Sequence, residues 1–468
     1  MAYGGYTYFD ARYEPAKDDF VVLIWAKGNA PIEKIAEGIA SESSVGTWTK
    51  LKTMNQFVWE HLRARVFKIQ KVGKNAAFIW IAYPYEHFDS KNIMQFCASV
   101  MGNIFGLKEL EELYVCDIKF PLKYQKQFPG PKAGMEGVRK YVGTDKNRRP
   151  HCGTIPKPKV GLNPKEFAHV AYESWIGGLD FVKDDENLVD QKFCPFKERF
   201  HEVVKSAERV ERETGRKVLY SPNISDRYDR MLERMDYVKA HGWPMVMMDV
   251  YLMGFSVLPM ALEQAHKYNL FTHAHRAGYA AAHRGTYGAN FVIYEKYYRM
   301  LGVDQLHIGT GVGKMEGGPL LIKRLHQVAD EKKGPAKMYL GMLDFEWAPH
   351  IKPIFSVSSG GMDAGKVEAS VALHGRDVVV QAGGGIHGHP LGTRGGAASM
   401  RQAVDAVAKG ISLPVYAKTH KELKMALDKF GYVSPKEVLK ELAHEKKNCK
   451  KMDAEVLRHG RKGMEKYS

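Results

Sequence analysis

A lysine and three acidic residues follow a short, mostly apolar run in GGLDFVKDDEN (177–187). Residues 179–182 have the composition of a buried strand, so the charges fall at its end. Asp185 and Glu186 offer two carboxylate ligands of the type that Mg²⁺ prefers, and Mg²⁺ usually keeps several waters as well. The alternative is an ion-pair cluster that keeps Lys183 charged. The pattern therefore predicts either a magnesium site or a salt-bridge cluster here.

Eight short apolar runs, separated by longer amphipathic stretches, occupy the second part of the chain. This alternation is typical of βα units, and eight units in succession predict an α/β fold with a (β/α)8 TIM barrel. Residues 163–176 show the apolar spacing expected of one intervening helix. The eight predicted strands are 152–157, 179–183, 217–221, 245–249, 270–275, 305–309, 353–358 and 377–381.

The first part of the chain mixes strand-like and helix-like patterns, which predicts a smaller α+β domain. Apolar runs at 20–28 and 76–84 predict strands. Periodic stretches at 31–44 and 92–106 predict helices.

A segment rich in proline and glycine, FPGPKAGMEG (128–137), separates the two patterns. We therefore predict an N-terminal α+β domain at residues 1–130 and a barrel domain at residues 131–468. Residues from about 400 onward have helical patterns and are predicted to extend or cap the barrel.

Polar residues or glycines follow all eight predicted strands, where the catalytic residues of such barrels lie. Taken singly, a strand-end histidine is usually structural, a lysine beside aspartates usually forms an ion pair, and glycines usually form turns. Chance does not explain eight such ends together, so we predict an active site at this end of the barrel. In strand order these residues are Lys157 and Lys159; Lys183, Asp185 and Glu186; Asn223; Asp249; His273, His275 and Arg276; His307 and Lys314; Ser359, Gly360 and Gly361; and Gln381, Gly383, Gly384 and Gly385.

The glycines after the last two strands predict a phosphate site. Backbone N–H groups without a nearby Cβ form a cradle for phosphate, and TIM barrels usually bind phosphate at this place. Arg276 and His307 would add charge. The loop GTGVGKMEGG (309–318) departs from a P-loop, because Met315 stands where that motif has serine or threonine. Its glycines instead predict a mobile lid that carries Lys314.

The chain is strongly basic, with a formal net charge of +16 over 468 residues. Such a charge suits an anionic partner, namely a nucleic acid, a membrane surface or a phosphorylated substrate. Acids interrupt the basic stretch from Lys446 to Lys462, whereas a nucleic-acid-binding stripe is typically unbroken and carries aromatics. The apolar stretch 243–262 contains Asp249 and two prolines, which favours a strand, a loop and a helix over a membrane span.

The five cysteines form no CxxC pair, and the N-terminus lacks the basic and apolar regions of a signal peptide. We therefore expect a cytoplasmic protein with no membrane partner and no nucleic-acid partner.

Six barrel motifs, in order and at the right spacing, resemble those of the ribulose-1,5-bisphosphate carboxylase/oxygenase (Rubisco) large subunit. Before the barrel, ESSVGTWT (42–49) and MGNIFGLKEL (101–110) resemble the N-terminal domain of that family. The likeness is greatest to the archaeal-type forms, between those called II and III. The barrel motifs are KPKVGL (157–162), GGLDFVKDDEN (177–187), HAHRAG (273–278), HIGTGVGKMEG (307–317), SSGGM (358–362) and GGGIHGHPLG (383–392).

The resemblance implies Mg²⁺-dependent addition of CO2 or O2 to the enediolate of ribulose 1,5-bisphosphate. The products would be two 3-phosphoglycerates, or 3-phosphoglycerate and 2-phosphoglycolate. It further implies that Lys183 is carbamylated by an activating CO2 and then binds Mg²⁺ with Asp185 and Glu186. Lys157 would be the acid/base of enolisation and final protonation, and His275 would transfer protons.

By the same resemblance, Lys314 would steady the nascent carboxylate. The implied substrate contacts are Lys159, Arg276, His307, Ser359, Gly360, Gly361, Gln381, Gly383 and Gly384. Residues of the N-terminal domain would reach the active site of a neighbouring subunit, which implies a homodimer or a multiple of dimers, and no small subunit is expected. These residues are Glu42, Thr47, Trp48 and Asn103.

Two residues depart from the family pattern beside the predicted site. Pro156 precedes Lys157 where the family usually has an aliphatic residue, and without an N–H it would remove one ladder bond from the first barrel strand. Asp363 stands in SGGMD where many relatives carry histidine. Both departures bear on the rate and on CO2/O2 discrimination more than on the identity of the reaction.

Three other functions fit part of the pattern. A Rubisco-like enolase or isomerase of another phosphorylated sugar usually lacks part of the lysine set, whereas all four lysines are present here. A binuclear metal hydrolase with a carbamylated lysine carries HxH on strand 1, but here His273-Ala-His275 is predicted on strand 5. A nucleic-acid binder would rest on charge alone and would bind DNA with a steep salt dependence.

Overall fold

The computed structural model describes residues 5–314 and 317–459. Of the residues discussed above, Met315 and the last basic residues of the tail, Arg461 and Lys462, lie outside the described residues.

The described strands form a five-stranded sheet, an eight-stranded sheet and a two-stranded sheet. They are β1 (Phe20–Gly28), β2 (Arg65–Gly73), β3 (Ala76–Tyr83), β4 (Leu110–Lys119), β5 (His151–Thr154), β6 (Phe181–Lys183), β7 (Leu219–Ser221), β8 (Met245–Asp249), β9 (Phe271–His275), β10 (Tyr287–Ala289), β11 (Gln305–His307), β12 (Lys333–Gly334), β13 (Phe345–Glu346), β14 (Phe355–Ser359) and β15 (Val378–Ala382).

The helices surround these sheets and lengthen the C-terminal part. They are α1 (Ile32–Glu42), α2 (Ile93–Met101), α3 (Leu122–Gln125), α4 (Gly134–Val142), α5 (Pro164–Ile176), α6 (Phe196–Thr214), α7 (Tyr228–Ala240), α8 (Val250–Lys267), α9 (Tyr279–His283), α10 (Phe291–Leu301), α11 (Pro319–Asp330), α12 (Val367–His374), α13 (Gly384–His387), α14 (Gly392–Ala408), α15 (Leu413–Tyr416), α16 (Lys421–Phe430) and α17 (Pro435–His459). Short 3-10 turns lie at Tyr85–His87, Ile104–Gly106, Met338–Leu340 and Ala364–Lys366, and a π-helical turn at Val58–Leu62.

The N-terminal sheet has the strand order β10-β4-β1-β3-β2. β1 pairs antiparallel with both β3 and β4 along its apolar length, which confirms the two strands predicted here. The fifth strand, β10, comes from the later part of the chain and pairs parallel with β4. Sequence reasoning missed this strand, because three residues, Tyr-Gly-Ala, carry no strand pattern of their own.

The eight-stranded sheet is parallel and has the order β7-β6-β5-β15-β14-β11-β9-β8. Its edge strands β7 and β8 are joined by a parallel bridge between Asn223 and Met247, so the sheet closes into a barrel. Each predicted barrel strand overlaps one of these eight strands. The predicted α/β fold, a (β/α)8 barrel with a separate N-terminal α+β part, is therefore confirmed.

Local signals explain why the intervening helices begin where they do. α5 begins with a capping box, in which the Asn163 side chain accepts from the backbone N–H of Glu166 while the Glu166 side chain accepts from that of Asn163. Pro164 occupies the first helical position, where its missing N–H costs no bond. The start of this helix fixes the length of the loop that carries Lys157 and Lys159.

Two local predictions were wrong. The first barrel strand was expected to reach Lys157, but β5 ends at Thr154, so Pro156 lies beyond the ladder and removes no ladder bond. The stretch 243–262 was expected to contain a loop, but α8 follows β8 directly and is interrupted only at Gly254, whose φ of 69° breaks the helix. No helix among residues 5–314 and 317–459 is long and apolar enough to cross a membrane.

The two parts of the molecule share a continuous hydrophobic core. Phe96 and Phe120 of the N-terminal part pack against Tyr297 on α10, with ring centroids 6.2 and 5.1 Å from that of Tyr297. All three side chains are buried. The domain boundary predicted at residue 130 falls between α3 and α4 and remains a prediction.

Candidate active site

The carboxyl end of β6 carries Lys183 into the barrel interior. Its side chain is buried, and Nζ donates to the backbone oxygen of Asp184 at 2.7 Å and lies 3.7 Å from Glu186 Oε2. Burial holds the pKa of Lys183 below its usual value, although the carboxylates of Glu186, Asp185 and Asp249 oppose this shift. A larger share of Lys183 is therefore neutral, and nucleophilic, than of an exposed lysine at the same pH.

Asp185 and Glu186 face this lysine from the loop after β6. Lys157 Nζ donates to Asp185 Oδ2 at 2.7 Å, and His275 Nε2 lies 3.5 Å from Glu186 Oε2. Burial would raise the pKa of Asp185, but hydrogen bonds from Lys157 and Asn187 lower it below its usual value. For Glu186, electrostatic interactions with His275 and Lys183 likewise outweigh burial and lower the pKa. Both carboxylates are therefore ionised at neutral pH.

Asp184, which precedes both of them in the chain, has a different role. It is fully buried, its Oδ2 lies 2.9 Å from Arg199 Nη2, and its Oδ1 accepts from Tyr220 OH at 2.7 Å. The backbone N–H of Asn223 donates to the same carboxylate at 2.8 Å. With these bonds made, Asp184 forms a structural ion pair with Arg199, whereas the salt-bridge alternative had the acidic residues pair with Lys183.

His275 at the end of β9 contacts Asp249 at the end of the neighbouring strand β8. Its Nδ1 lies 3.1 Å from Asp249 Oδ1, and Asn223 Nδ2 lies 3.4 Å from Asp249 Oδ2. The sequence marked Asp249 and Asn223 only as polar strand ends. The structure shows them as the groups that orient His275, since parallel neighbours β8 and β9 place Asp249 and His275 side by side in the ladder.

His307 and Arg276 lie on the adjoining strand ends. His273 Nδ1 is 2.8 Å from Gln305 Oε1, and His273 Nε2 is 2.9 Å from His307 Nε2. Burial lowers the pKa of both histidines well below the usual value, so both are neutral. Because an amide oxygen only accepts, His273 carries its proton on Nδ1 and accepts from His307 Nε2–H. Arg276 packs with its guanidinium 4.2 Å from the centroid of the Tyr279 ring.

The loops after β14 and β15 expose backbone instead of side chains. Gly360 and Gly361 have φ of 113° and 77°, which L side chains rarely adopt. Gly384 begins the short helix α13, and a Cβ there would meet no atom within 4 Å. Gln381 at the end of β15 is fully buried, and its amide finds no hydrogen-bond partner among the described residues. A buried amide of this kind is available to a ligand.

Two predicted lysines border this glycine region. Lys157 approaches it closely, since a Cβ on Gly383 would lie 3.0 Å from Lys157 Cε. The backbone N–H of Lys314 donates to Gly360 O at 3.2 Å, and the Lys314 side chain is exposed. Lys159 is exposed beyond the end of β5. Ser359 is half-buried at the last position of β14.

Two of the four predicted N-terminal residues contact each other. Asn103 Nδ2 donates to Glu42 Oε1 at 3.1 Å, and within the described chain these two side chains bond to each other rather than to the barrel mouth. Trp48 leaves 78% of its surface exposed, and Thr47 beside it is half-buried. A tryptophan this exposed suits a contact with another molecule.

The donor set at β6 fits a hard cation only in part. Asp185 and Glu186 are ionised oxygen donors, which Mg²⁺ prefers. Among residues 5–314 and 317–459, however, no three histidine, cysteine, aspartate or glutamate side chains group as metal ligands. A third anionic ligand on Lys183, between the two carboxylates, would complete the protein's share of such a site.

The chain matches two family models over most of its length. Residues 7–124 match the N-terminal domain, and residues 136–430 the catalytic domain, of the ribulose bisphosphate carboxylase large chain. The chain is 42% identical to a ribulose bisphosphate carboxylase of Methanocaldococcus jannaschii over 90% of this chain and 99% of that protein. It is 39% identical to one of Archaeoglobus fulgidus over 92% and 98%.

Solved structures give the same result. A dimeric archaeal Rubisco from Hyperthermus butylicus superposes with a TM-score of 0.85 at 39% identity, covering 91% of this chain and 99% of that one. An octameric Rubisco from Pyrococcus horikoshii, solved with sulfate, gives a TM-score of 0.83 at 38% identity, covering 91% and 96%. The chain belongs to the ribulose bisphosphate carboxylase large chain family, whose members are carboxy-lyases. The resemblance inferred from the motifs is confirmed.

Proposed function

We propose that this protein adds CO2, or O2, to the enediolate of ribulose 1,5-bisphosphate in a Mg²⁺-dependent reaction. Carboxylation would yield two molecules of 3-phosphoglycerate, and oxygenation would yield 3-phosphoglycerate and 2-phosphoglycolate. The feature that best supports this reaction is a buried lysine, with a pKa below its usual value, that lies beside ionised carboxylates.

Activation begins at Lys183. Its neutral amine attacks the carbon of an activating CO2, and loss of one proton leaves a carbamate. This step replaces a buried cation with an anion beside Asp185 and Glu186, and the three groups together would hold Mg²⁺. When bound, Mg²⁺ would polarise the ketose carbonyl and stabilise the negative charge that develops on it.

Proton transfer falls to residues beside that site. Lys157, hydrogen-bonded to Asp185 and next to Gly383, is placed to act on a substrate that spans both. We assign it enolisation and the final protonation. His275, oriented through Nδ1 by Asp249, presents Nε2 to the Glu186 side and is assigned the other proton transfers.

The two phosphates would bind on opposite sides of the mouth. The backbone of Ser359, Gly360, Gly361, Gly383 and Gly384, with the Gln381 amide, would cradle one phosphate. Arg276 and His307 would bind the other. The negative charge of that phosphate favours the uptake of a proton by His307 at Nδ1. Lys314 and Lys159 would reach the substrate from the exposed side, and Lys314 would steady the new carboxylate.

We further propose a homodimer, or a multiple of dimers, as the working unit. Asn103 bonds to Glu42 and Trp48 is exposed, as expected of residues that complete the site of a second copy. The solved relatives include a dimer and octamers. No small subunit is proposed.

The test is a labelling experiment. Purified protein is incubated with CO2 and Mg²⁺, then given ribulose 1,5-bisphosphate and labelled bicarbonate without oxygen. Label in 3-phosphoglycerate only after the preincubation is the expected result. A folded, Mg²⁺-binding protein that exchanges the substrate C3 proton but incorporates no label would instead be an enolase or isomerase of the Rubisco-like kind.

A further inference from the structure

Asp363 and Lys366 form an ion pair directly behind the turn at Ser359–Gly361. Asp363 Oδ2 lies 2.5 Å from Lys366 Nζ, and the two side chains are 6% and 23% exposed. Asp363 Oδ1 also accepts from Gly365 N at 3.0 Å, which caps the 3-10 turn that follows. Because the pair is largely shielded from water and fixed at both carboxylate oxygens, it is stronger than an exposed pair.

Lys366 connects this pair to the turn. Its Nζ donates to Gly361 O at 2.9 Å. The adjacent carbonyl, Gly360 O, accepts from Lys314 N at 3.2 Å. Gly313 approaches so closely that a Cβ there would lie 2.1 Å from Gly360 O. One carbonyl of the turn is therefore held by Lys366, while the next carbonyl seats the loop that carries Lys314.

The segment from Met362 to Gly365 also contacts the glycine loop that follows β15. A Cβ on Gly385 would lie 2.7 Å from Asp363 Cβ and 2.4 Å from Met362 O. The segment is also bonded to the loop between α16 and α17, since Val433 N donates to Gly365 O at 3.1 Å. Asp363 thus lies at the junction of both glycine loops, in a segment that is held from the C-terminal part of the chain.

We propose that Asp363 and Lys366 are a positioning pair for this reaction: they hold the Gly360–Gly361 turn in the one geometry that both binds a phosphate and seats Lys314. The inference rests on the proposed function. Neither side chain is assigned a substrate contact, and both act through the backbone of the turn.

The test compares variants that break the pair in different ways. Lys366→Met removes both donated bonds but keeps the aliphatic stem. Since small displacements of a positioned group have large kinetic effects, we expect affinity for ribulose 1,5-bisphosphate and the ratio of carboxylation to C3 proton exchange each to fall about ten-fold. Activation by CO2 and Mg²⁺ is expected to be unchanged. Lys366→Arg, which retains the donors, should recover most of both values.

Asp363→Asn keeps the cap on Gly365 but removes the charge, and a smaller change in the same direction is expected. The matched control is Lys424→Met, which breaks the Lys424–Asp428 pair at 2.7 Å, where both side chains are more than 60% exposed. This control should change neither affinity nor ratio.

An unchanged affinity and ratio in folded Lys366→Met would overturn the proposal. So would an equal loss of proton exchange and carboxylation, since that describes a merely structural role. If the wild type fixes no CO2, the proposed function fails, but bisphosphate affinity still decides whether Lys366 positions the turn. If Lys366→Met does not fold, Asp363→Asn and Lys366→Gln provide the same comparison.

Discussion

The two sides of the barrel mouth differ in what they expose to a substrate. At the ends of β6 and β9, buried charged side chains crowd together and compensate one another, as Lys157 does for Asp185. At the ends of β14 and β15, glycines leave the backbone bare, and the Gln381 amide is the buried polar side chain there without a partner among the described residues. The first side suits chemistry that creates and neutralises charge, and the second suits recognition of a phosphate by N–H groups.

This difference has a consequence for the effect of mutations. On the charged side a substitution alters a pKa or leaves a buried charge without its partner. On the glycine side a Cβ added at Gly384 meets no protein atom within 4 Å and changes only the space that a ligand can occupy. Mutations on the charged side should therefore affect stability as well as function, whereas a Cβ added at Gly384 should affect function alone.

The largest effect is expected for Lys183→Ala. The variant has no amine to form a carbamate, so Mg²⁺-dependent activation and carboxylation should both be abolished. Measured activity after CO2 and Mg²⁺ preincubation checks this, with circular dichroism as the control for folding. Normal carboxylation in this variant would remove the metal-site interpretation of the charged side.

Lys314→Ala should separate two steps of the reaction. The lysine is assigned to the carboxylate formed after enolisation, so C3 proton exchange should persist while carboxylation falls by roughly 10²-fold or more. Exchange is followed by NMR in deuterated water and carboxylation by labelled bicarbonate. An equal loss of both would mean that Lys314 is misassigned.

Asp184→Asn and Asp185→Asn compare neighbouring residues of the charged side. Removing the charge of Asp184 leaves buried Arg199 without its partner, which should cost about 3–5 kcal/mol of unfolding free energy. Asp185→Asn should alter stability far less but weaken Mg²⁺ binding. Urea denaturation and a Mg²⁺ titration of each variant measure the two effects, and the reverse assignment would contradict the geometry.

Gly384→Ala tests the glycine side. The added Cβ meets no protein atom within 4 Å, so the melting temperature should stay unchanged, whereas a methyl group in the phosphate cradle should raise KM for ribulose 1,5-bisphosphate about ten-fold. Gly73→Ala on β2, whose Cβ is equally unobstructed, is the matched control. An unchanged KM would place the phosphate elsewhere.

The smallest effect concerns histidines behind the glycine side. Burial lowers the pKa of His326 to about 3 and that of His374 to about 4. Between these values and the usual 6.5, the unfolded chain binds protons that the folded chain does not, so stability falls as pH falls through this window. From pH 6.5 to pH 5 each histidine should cost about 1–2 kcal/mol of unfolding free energy.

His326→Gln removes one of these groups, so its stability should fall less steeply with acid than that of the wild type. Urea denaturation at pH 6.5 and pH 5 measures the slope. An identical slope in the two proteins would mean that the pKa of His326 is the same in the folded and unfolded states.

Much of the fold could be read from the sequence because it depends on local patterns. Apolar runs of strand length recur eight times, and β1, α1 and the barrel strands formed close to where those runs predict them. The polar strand ends also predicted that Lys183, His275 and Gly361 meet, since the carboxyl ends of parallel strands share one end of a barrel.

Other features depend on residues far apart in the chain, and only the tertiary structure decided them. Asp184, Asp185 and Glu186 look alike in sequence. In the structure, however, Asp184 is buried and bonded to Arg199 and Tyr220, while the other two face the active site. Pro156 appeared to disturb a strand that in fact ends before it. The bond from Lys366 to Gly361, and the seating of Lys314 on Gly360, follow from how loops of separate βα units pack together, because hydrogen-bond partners are set by proximity in space and not by spacing along the chain.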